Sequence, residues 1–224
     1  YLKHLPEGTQ LYIDPPASDA GISIGLAKLT YNRLHPSTPK KQETFYLGPE
    51  PDYKFNLSCN EFNSKIVSYA DIANLLVEGN IITMYQGRSE AGPRALGNRS
   101  ILADARDPEC QTILNVAVKQ RESFRPFAPV VIEEDANFWF DAPFGDHYMT
   151  TVAHLKDELR IARTESRSDG VIAQVRQKRS SIPAVTHIDY SARVQTVPVE
   201  HPLREVIEAF KSHTGVGVLV NTSF

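Results

Sequence analysis

Residues 87–98 read Gly-Arg-Ser-Glu-Ala-Gly-Pro-Arg-Ala-Leu-Gly-Asn with Arg99 and Ser100 directly behind, so Arg88, Arg94 and Arg99 stand among Gly87, Gly92 and Gly97. This is the chemistry of an anion-binding loop. Glycine lets backbone N–H groups approach a ligand, and guanidinium forks match phosphate or carboxylate oxygens while staying charged at any working pH. A second cluster at 119–129 places Lys119, Arg121 and Arg125 beside Phe124, Pro126, Phe127 and Pro129. The prolines fix φ and push the residue before each toward extended backbone, which makes Arg125 a stiff, pre-organised cation. A lone Gly-Arg pair is most often a solvated turn; two such clusters in one chain favour a ligand.

These loops need elements to position them. The apolar run Ile81, Ile82, Thr83, Met84, Tyr85 predicts a buried strand that delivers the first loop at the edge of a sheet. Asp107-Pro108-Glu109 reads as a helix start with cap, proline and carboxylate in order, the helix running to about 120 and setting Lys119 at its C-terminal end. A strand is expected over 128–132 and a short helix over 133–140. Further strands are expected over 11–13, 43–48, 149–155, 184–187, 194–197 and 216–220. Helices are expected from about 68 to 78, stopped by Gly79, and over 202–213 with Leu203, Val206, Ile207 and Phe210 inward, stopped by Gly215. Near the N-terminus, Ser18 or Asp19 caps a helix over about 20–32 with Ile22, Leu26 and Leu29 on one face.

Strands and helices mix throughout, so the fold class is α/β or α+β with an open sheet. The Pro- and Lys-rich stretch 35–42 makes the best domain boundary, and 156–182, with Arg160, Arg163, Arg167, Arg176, Lys178 and Arg179, reads as a solvated insertion, with a lid or partner-binding surface as the alternative. The chain opens without a methionine and stops soon after an apolar run, which suggests a piece of a longer protein.

Composition is that of an ordinary globular chain of 224 residues, 41% hydrophobic and 23% charged. Nothing reads as a signal peptide or a bilayer span, so a soluble cytoplasmic protein with no membrane partner is expected. Cys59 and Cys110 are too few for a disulfide framework, which fits a reducing compartment. Net charge is −3, so the whole molecule does not attract a nucleic-acid backbone. Between 87 and 106, however, Arg88, Arg94, Arg99 and Arg106 outnumber Glu90 and Asp104. A local cationic surplus on an acidic protein points to a small anion in a pocket.

Four stretches in order carry a resemblance: 87–104; 121–129 (Arg-Glu-Ser-Phe-Arg-Pro-Phe-Ala-Pro); 183–195, with Thr186-His187 and Ala192-Arg193; and Asn221-Thr222-Ser223-Phe224. They resemble the C-terminal half of the O-carbamoyltransferases of the nodulation-protein-U and tobramycin/cephamycin type, well over 80–224 and more weakly around Asp19. The resemblance implies a YrdC-like open twisted mixed sheet with flanking helices over 43–224, ending short at its C-terminus. Residues 1–42 would close an actin-like domain of sugar-kinase architecture and lead into the linker.

The implied activity is ATP-dependent. Carbamoyl phosphate and ATP, with Mg²⁺, give carbamoyl adenylate here, and an upstream iron-bearing domain transfers the carbamoyl group to a hydroxylated small-molecule acceptor. By the same resemblance Arg94, Lys119 and Arg125 are catalytic and bind the donor, with Arg193, Asn221, Ser223 and Arg99 completing the substrate site. Asp19 matches the metal-binding aspartate, with Ser18 where the family carries glycine and its histidine partners upstream. Arg99 also suits a loop-holding role, Glu90 suits orienting an arginine or helping hold Mg²⁺, and His187 suits a proton donor or a structural residue. An RNA-binding module is the alternative, since YrdC-like domains are related to RNA-binding proteins and 156–182 is basic; net acidity argues against it.

Overall fold

The computed structural model describes residues 6, 9, 12–39, 42–50, 65–141, 145–162, 173–175 and 177–224. In chain order these form helices α1 (Asp19–Leu34) and α2 (Tyr69–Val77), strands β1 (Ile82–Tyr85) and β2 (Arg99–Asp104), and helix α3 (Cys110–Ile113). Strand β3 (Ala128–Ile132), helix α4 (Glu133–Trp139) and strands β4 (Phe140–Asp141), β5 (Ala153–Leu155), β6 (Ser191–Ala192) and β7 (Gln195–Val197) follow. Helix α5 (Leu203–Thr214) and strand β8 (Val218–Ser223) complete the chain.

A five-stranded mixed sheet has the order β1-β2-β8-β3-β7, with β3 and β7 parallel and the other neighbours antiparallel. Its two faces follow from the period-two alternation of its strands. Leu102, Val130, Ile132, Val197 and Leu219 face Leu76 of α2 and Val206, Ile207 and Phe210 of α5. Ile101, Ala103, Val131, Val218 and Val220 face a second layer built from Leu114, Trp139, Phe140 and Leu155. That layer includes the small sheet β4-β5-β6.

Local signals explain the best-defined helices. Ser68 and Asp71 close a reciprocal capping box on α2, and Gly79 leaves it at φ 86°. Helix α5 buries Leu203, Val206, Ile207 and Phe210 completely and ends on Gly215 at φ 73°, where its N–H bonds Lys211 O. Emptying one such site, as in Phe210→Ala, costs about 3–5 kcal/mol.

Several expectations need correcting. Strand β1 is an edge strand with Met84 buried and Thr83 and Tyr85 exposed, because only β2 pairs with it among the described residues. No strand forms at Tyr12 and Ile13, and Leu11 lies outside the described residues. Residues 43–48 form a strap instead of a strand: Ala91 N donates to Phe45 O at 2.7 Å and Gly48 N to Ser89 O at 3.0 Å. Helix α3 is short and passes into a π turn, Leu114–Val118. Strand β5 covers only the end of 149–155.

The segment expected as a strand at 184–187 is a 3₁₀ turn, Pro183–Val185, since the buried Arg179 guanidinium takes the Thr186 carbonyl that a ladder would use. Arg179 at 2% exposure, with Ser180 and Ile182 at 0%, also shows that the end of 156–182 is packed, while Arg163, Arg167 and Arg176 lie outside the described residues. Helix α1 matches its expected position, and Ile22, Leu26 and Leu29 share its surface in exposed positions.

Candidate functional site

The strand directions bring four loops to one end of the central sheet. The register pairs Tyr85 with Arg99, Ser100 with Ser223, Ala128 with Asn221 and Val130 with Gln195. The ends of β1 and β8 therefore meet the beginnings of β2, β3 and β7. A cavity of about 130 Å³ lies there, lined by Pro93, Arg94 and Ala95 from the first loop, Arg121 from the second, and Pro126, Phe127 and Ala128 at the entry to β3. Met149, Arg193, Asn221, Thr222 and Ser223 complete its wall.

The Gly/Arg loop reaches this cavity by a single arginine. Four of its backbone donors are spent internally: Glu90 Oε1 accepts from Leu96 N at 2.7 Å, Asn98 N at 2.8 Å and Arg99 N at 3.3 Å, while Gly97 N donates to Ser100 Oγ at 2.8 Å. A carboxylate in such a nest does what an external anion would do for the loop. Glu90 thus braces the loop through Oε1. Arg99 donates to Gln86 O at 2.6 Å, Asn98 O at 2.8 Å and Gly87 O at 3.2 Å and lies 3.7 Å over the Tyr85 ring. It serves as the loop's strut outside the cavity lining. Arg106 is chelated by Asp104 at 2.7–3.1 Å, and Arg88 sits 3.9 Å from Glu50. Arg94 makes no hydrogen bond or ion pair among the described residues.

The second loop delivers a different arginine from the one singled out. Buried Asn115 in the π turn organises it: Nδ2 donates to Ser123 O at 3.1 Å and Arg125 O at 2.9 Å, and Oδ1 accepts from Arg121 Nε at 2.6 Å. Gln120 turns the chain at φ 49°. Arg121, lying 5.0 Å over the Phe127 ring, then lines the cavity. Arg125 is outside the lining, half-exposed and paired with Glu122 at 2.9 Å. Lys119 reaches the rim through Ser223, donating to its carbonyl and to Oγ at 3.2 Å.

The cations act on one another. Burial first, then Arg94, lowers the Arg193 pKa below the usual arginine value, with Asp146 opposing. Burial and Arg121 lower Lys119, and burial and Arg125 lower Arg121. Like charges gathered around a small cavity favour an anion that relieves their repulsion. Two polar atoms in the wall are also buried without partners among the described residues, Arg193 Nε and Asn221 Oδ1.

A second cavity of about 380 Å³ shares Pro126 with the first and is lined by Phe124, Val175, Ala184 and Ile188 with Gln111, Arg179, Thr186, His187 and Asp189 at its polar edge. His187 sits 3.2 Å from Ser191 Oγ, and burial lowers its pKa from 6.5, so the ring is neutral at pH 7. Cys110 is buried, which with Asp107 and Asp104 pushes its thiol up to about 12 and removes it as a nucleophile. Cys59 lies outside the described residues. Asp19 stands in the first turn of α1, and no group of three His, Cys, Asp or Glu side chains able to hold a metal occurs among the described residues. The residues described here do not fit a resident iron. No helix among them is long and apolar enough to cross a membrane.

Of the residues singled out from sequence, the structure brings Arg94, Arg193, Asn221 and Ser223 into one cavity with Lys119 at its rim; Arg99, Arg125 and Asp19 stand outside it. Arg121, named from sequence only as part of the second basic cluster, also lines the cavity. The chain is 39% identical to nodulation protein NolNO of Sinorhizobium fredii and 34% identical to nodulation protein NolO of Bradyrhizobium diazoefficiens, each over 96% of this chain. It is 31% identical over 99% of its length to 3'-hydroxymethylcephem-O-carbamoyltransferase of Streptomyces clavuligerus. It spans 31%, 38% and 43% of those three proteins. A family profile described as the carbamoyltransferase C-terminus matches residues 73–224, and the chain belongs to that family.

Proposed function

We propose that this chain is the donor-activating part of an ATP-dependent O-carbamoyltransferase, converting carbamoyl phosphate, ATP and water to carbamoyl adenylate, inorganic phosphate and pyrophosphate. The observation that carries the reading is the convergence of Arg94, Arg121 and Arg193, with Lys119 at the rim, on one small cavity. Carbamoyl phosphate and the ATP phosphates are anions that repel each other on approach. Fixed cations screen that repulsion and follow the charge that develops on the departing phosphates. The adjoining apolar cavity suits a nucleobase, with Phe124, Pro126 and Ile188 offering apolar contact and Gln111, Thr186 and Asp189 offering hydrogen bonds. Mg²⁺ would enter with the nucleotide.

On this reading residues 43–224 form the donor-binding domain, and residues 1–42 close a preceding transfer domain where an acceptor hydroxyl, and iron, would bind. The cephem relative is named for O-carbamoyl transfer, which supports a hydroxyl acceptor. Pyrophosphate release tests the proposal. Release should require carbamoyl phosphate and ATP together and should fall at least about tenfold in Arg193→Ala. Release with ATP alone, or none with both present, contradicts adenylate formation.

A further inference from the structure

We infer that Asn221, locked in orientation by Gln195, selects a carbamoyl donor over an acyl phosphate by accepting a hydrogen bond from the donor's amino group. The inference rests on carbamoyl phosphate being the donor. Asn221 lines the cavity and is 1% exposed. Its Nδ2 donates to Gln195 Oε1 at 2.6 Å and to Ala95 O at 3.2 Å, which uses both amide hydrogens.

Gln195, itself 0% exposed, cannot turn over without loss. Its Nε2 donates to Leu96 O at 2.9 Å, and a flip would set its oxygen against that carbonyl. Leu96 in turn is held by Glu90 through its N–H. The two amides therefore have one consistent arrangement, and it leaves Asn221 Oδ1 as an acceptor with no partner. A buried unpaired acceptor is costly, and a site carrying one favours a ligand that supplies the missing N–H.

On the same wall, Arg193 Nε is a buried donor with no partner among the described residues. One unspent donor and one unspent acceptor match the two faces of a carbamoyl group, whose carbonyl oxygen accepts and whose NH₂ donates. Acetyl phosphate has the same shape and phosphate but carries a methyl group in place of NH₂. It satisfies Arg193 and leaves Asn221 Oδ1 unpaired. Discrimination against an analogue that lacks a required hydrogen bond is large because the site's polar group stays orphaned.

The test is competitive binding of carbamoyl phosphate and acetyl phosphate to the protein, followed by the same pair on Asn221→Leu and Gln195→Met. The parent should prefer carbamoyl phosphate by at least about tenfold, and both variants should lose most of that preference while still binding inorganic phosphate. Gln195→Met keeps Asn221 in place, so lost preference there identifies orientation, a readout that general destabilisation does not move. Equal affinity of the parent for both phosphates, or preference unchanged in a folded Gln195→Met, overturns the inference and leaves the donor assignment standing. Failure of the parent to bind carbamoyl phosphate at all overturns the donor assignment itself.

Discussion

The loops at 86–98 and 119–126 read alike in sequence, arginines beside chain-bending residues, yet they serve the site differently. In the first, Glu90 occupies the backbone nest and Arg99 spends its guanidinium on carbonyls, leaving Arg94 to face the cavity. In the second, Asn115 holds the backbone from inside and sends Arg121 inward while Arg125 turns to Glu122. The first loop is a braced support carrying one cavity-lining charge. The second is a charged wall. An anion-binding composition therefore does not say which cations line the cavity; the internal partners that hold each loop do.

The largest effect should come from the cavity charges. Arg94→Ala or Arg193→Ala should weaken carbamoyl phosphate binding by about ten- to a hundredfold, the worth of one charge-assisted hydrogen bond, with little change in melting temperature. Titration and a thermal melt on the same samples check this. Next, Arg121→Ala should cost more binding than Arg125→Ala, since only Arg121 lines the cavity. The reverse order would mean that the second loop rearranges on binding and Arg125 swings in.

Glu90→Gln sharpens the contrast from the other side. It weakens the acceptor of three amides, so a loss of about 1–3 kcal/mol in unfolding free energy is expected, with affinity falling less than in Arg94→Ala. Chemical denaturation measures it, and unchanged stability would mean the brace is not supporting the loop.

A smaller effect is pH-dependent. Burial lowers the pKa of both His187 and His201 from 6.5 in the folded chain. Their neutral forms fit the fold, so stability should be level above pH 6.5 and decline below it, as the unfolded chain takes up protons that the folded chain resists. His201 Nδ1 accepts from Leu203 N, so Nε2 carries the hydrogen directed at Leu96 O or Tyr46 Oη. His201→Gln should flatten the decline between pH 6.5 and 5.5 in urea titrations, and an unaltered slope would assign it to other groups.

How legible all this was depended on how local the cause was. Helices α2 and α5 could be read because cap, apolar stripe and terminal glycine all sit within the element. Strand β3 could be read because its position between two faces makes every residue buried. The edge character of β1 depends on which strand lies beside it, and the 3₁₀ turn at Pro183–Val185 depends on a guanidinium from Arg179. Neither cause is present in the segment itself. The motifs named Arg94, Arg193, Asn221 and Ser223, which share one cavity lining, whereas the presence of Arg121 in that lining and of Arg125 outside it turns on Gln120 at φ 49° and a hydrogen bond from Arg121 to Asn115.

The most direct test of the central claim is calorimetric titration of the protein with carbamoyl phosphate, in the presence of Mg²⁺ and a non-hydrolysable ATP analogue, repeated on Arg94→Ala and Arg121→Ala. Binding by the parent that drops at least about tenfold in each variant, with both still folded, is the predicted result. Binding that is equal in all three would contradict the assignment of this cavity as the donor site.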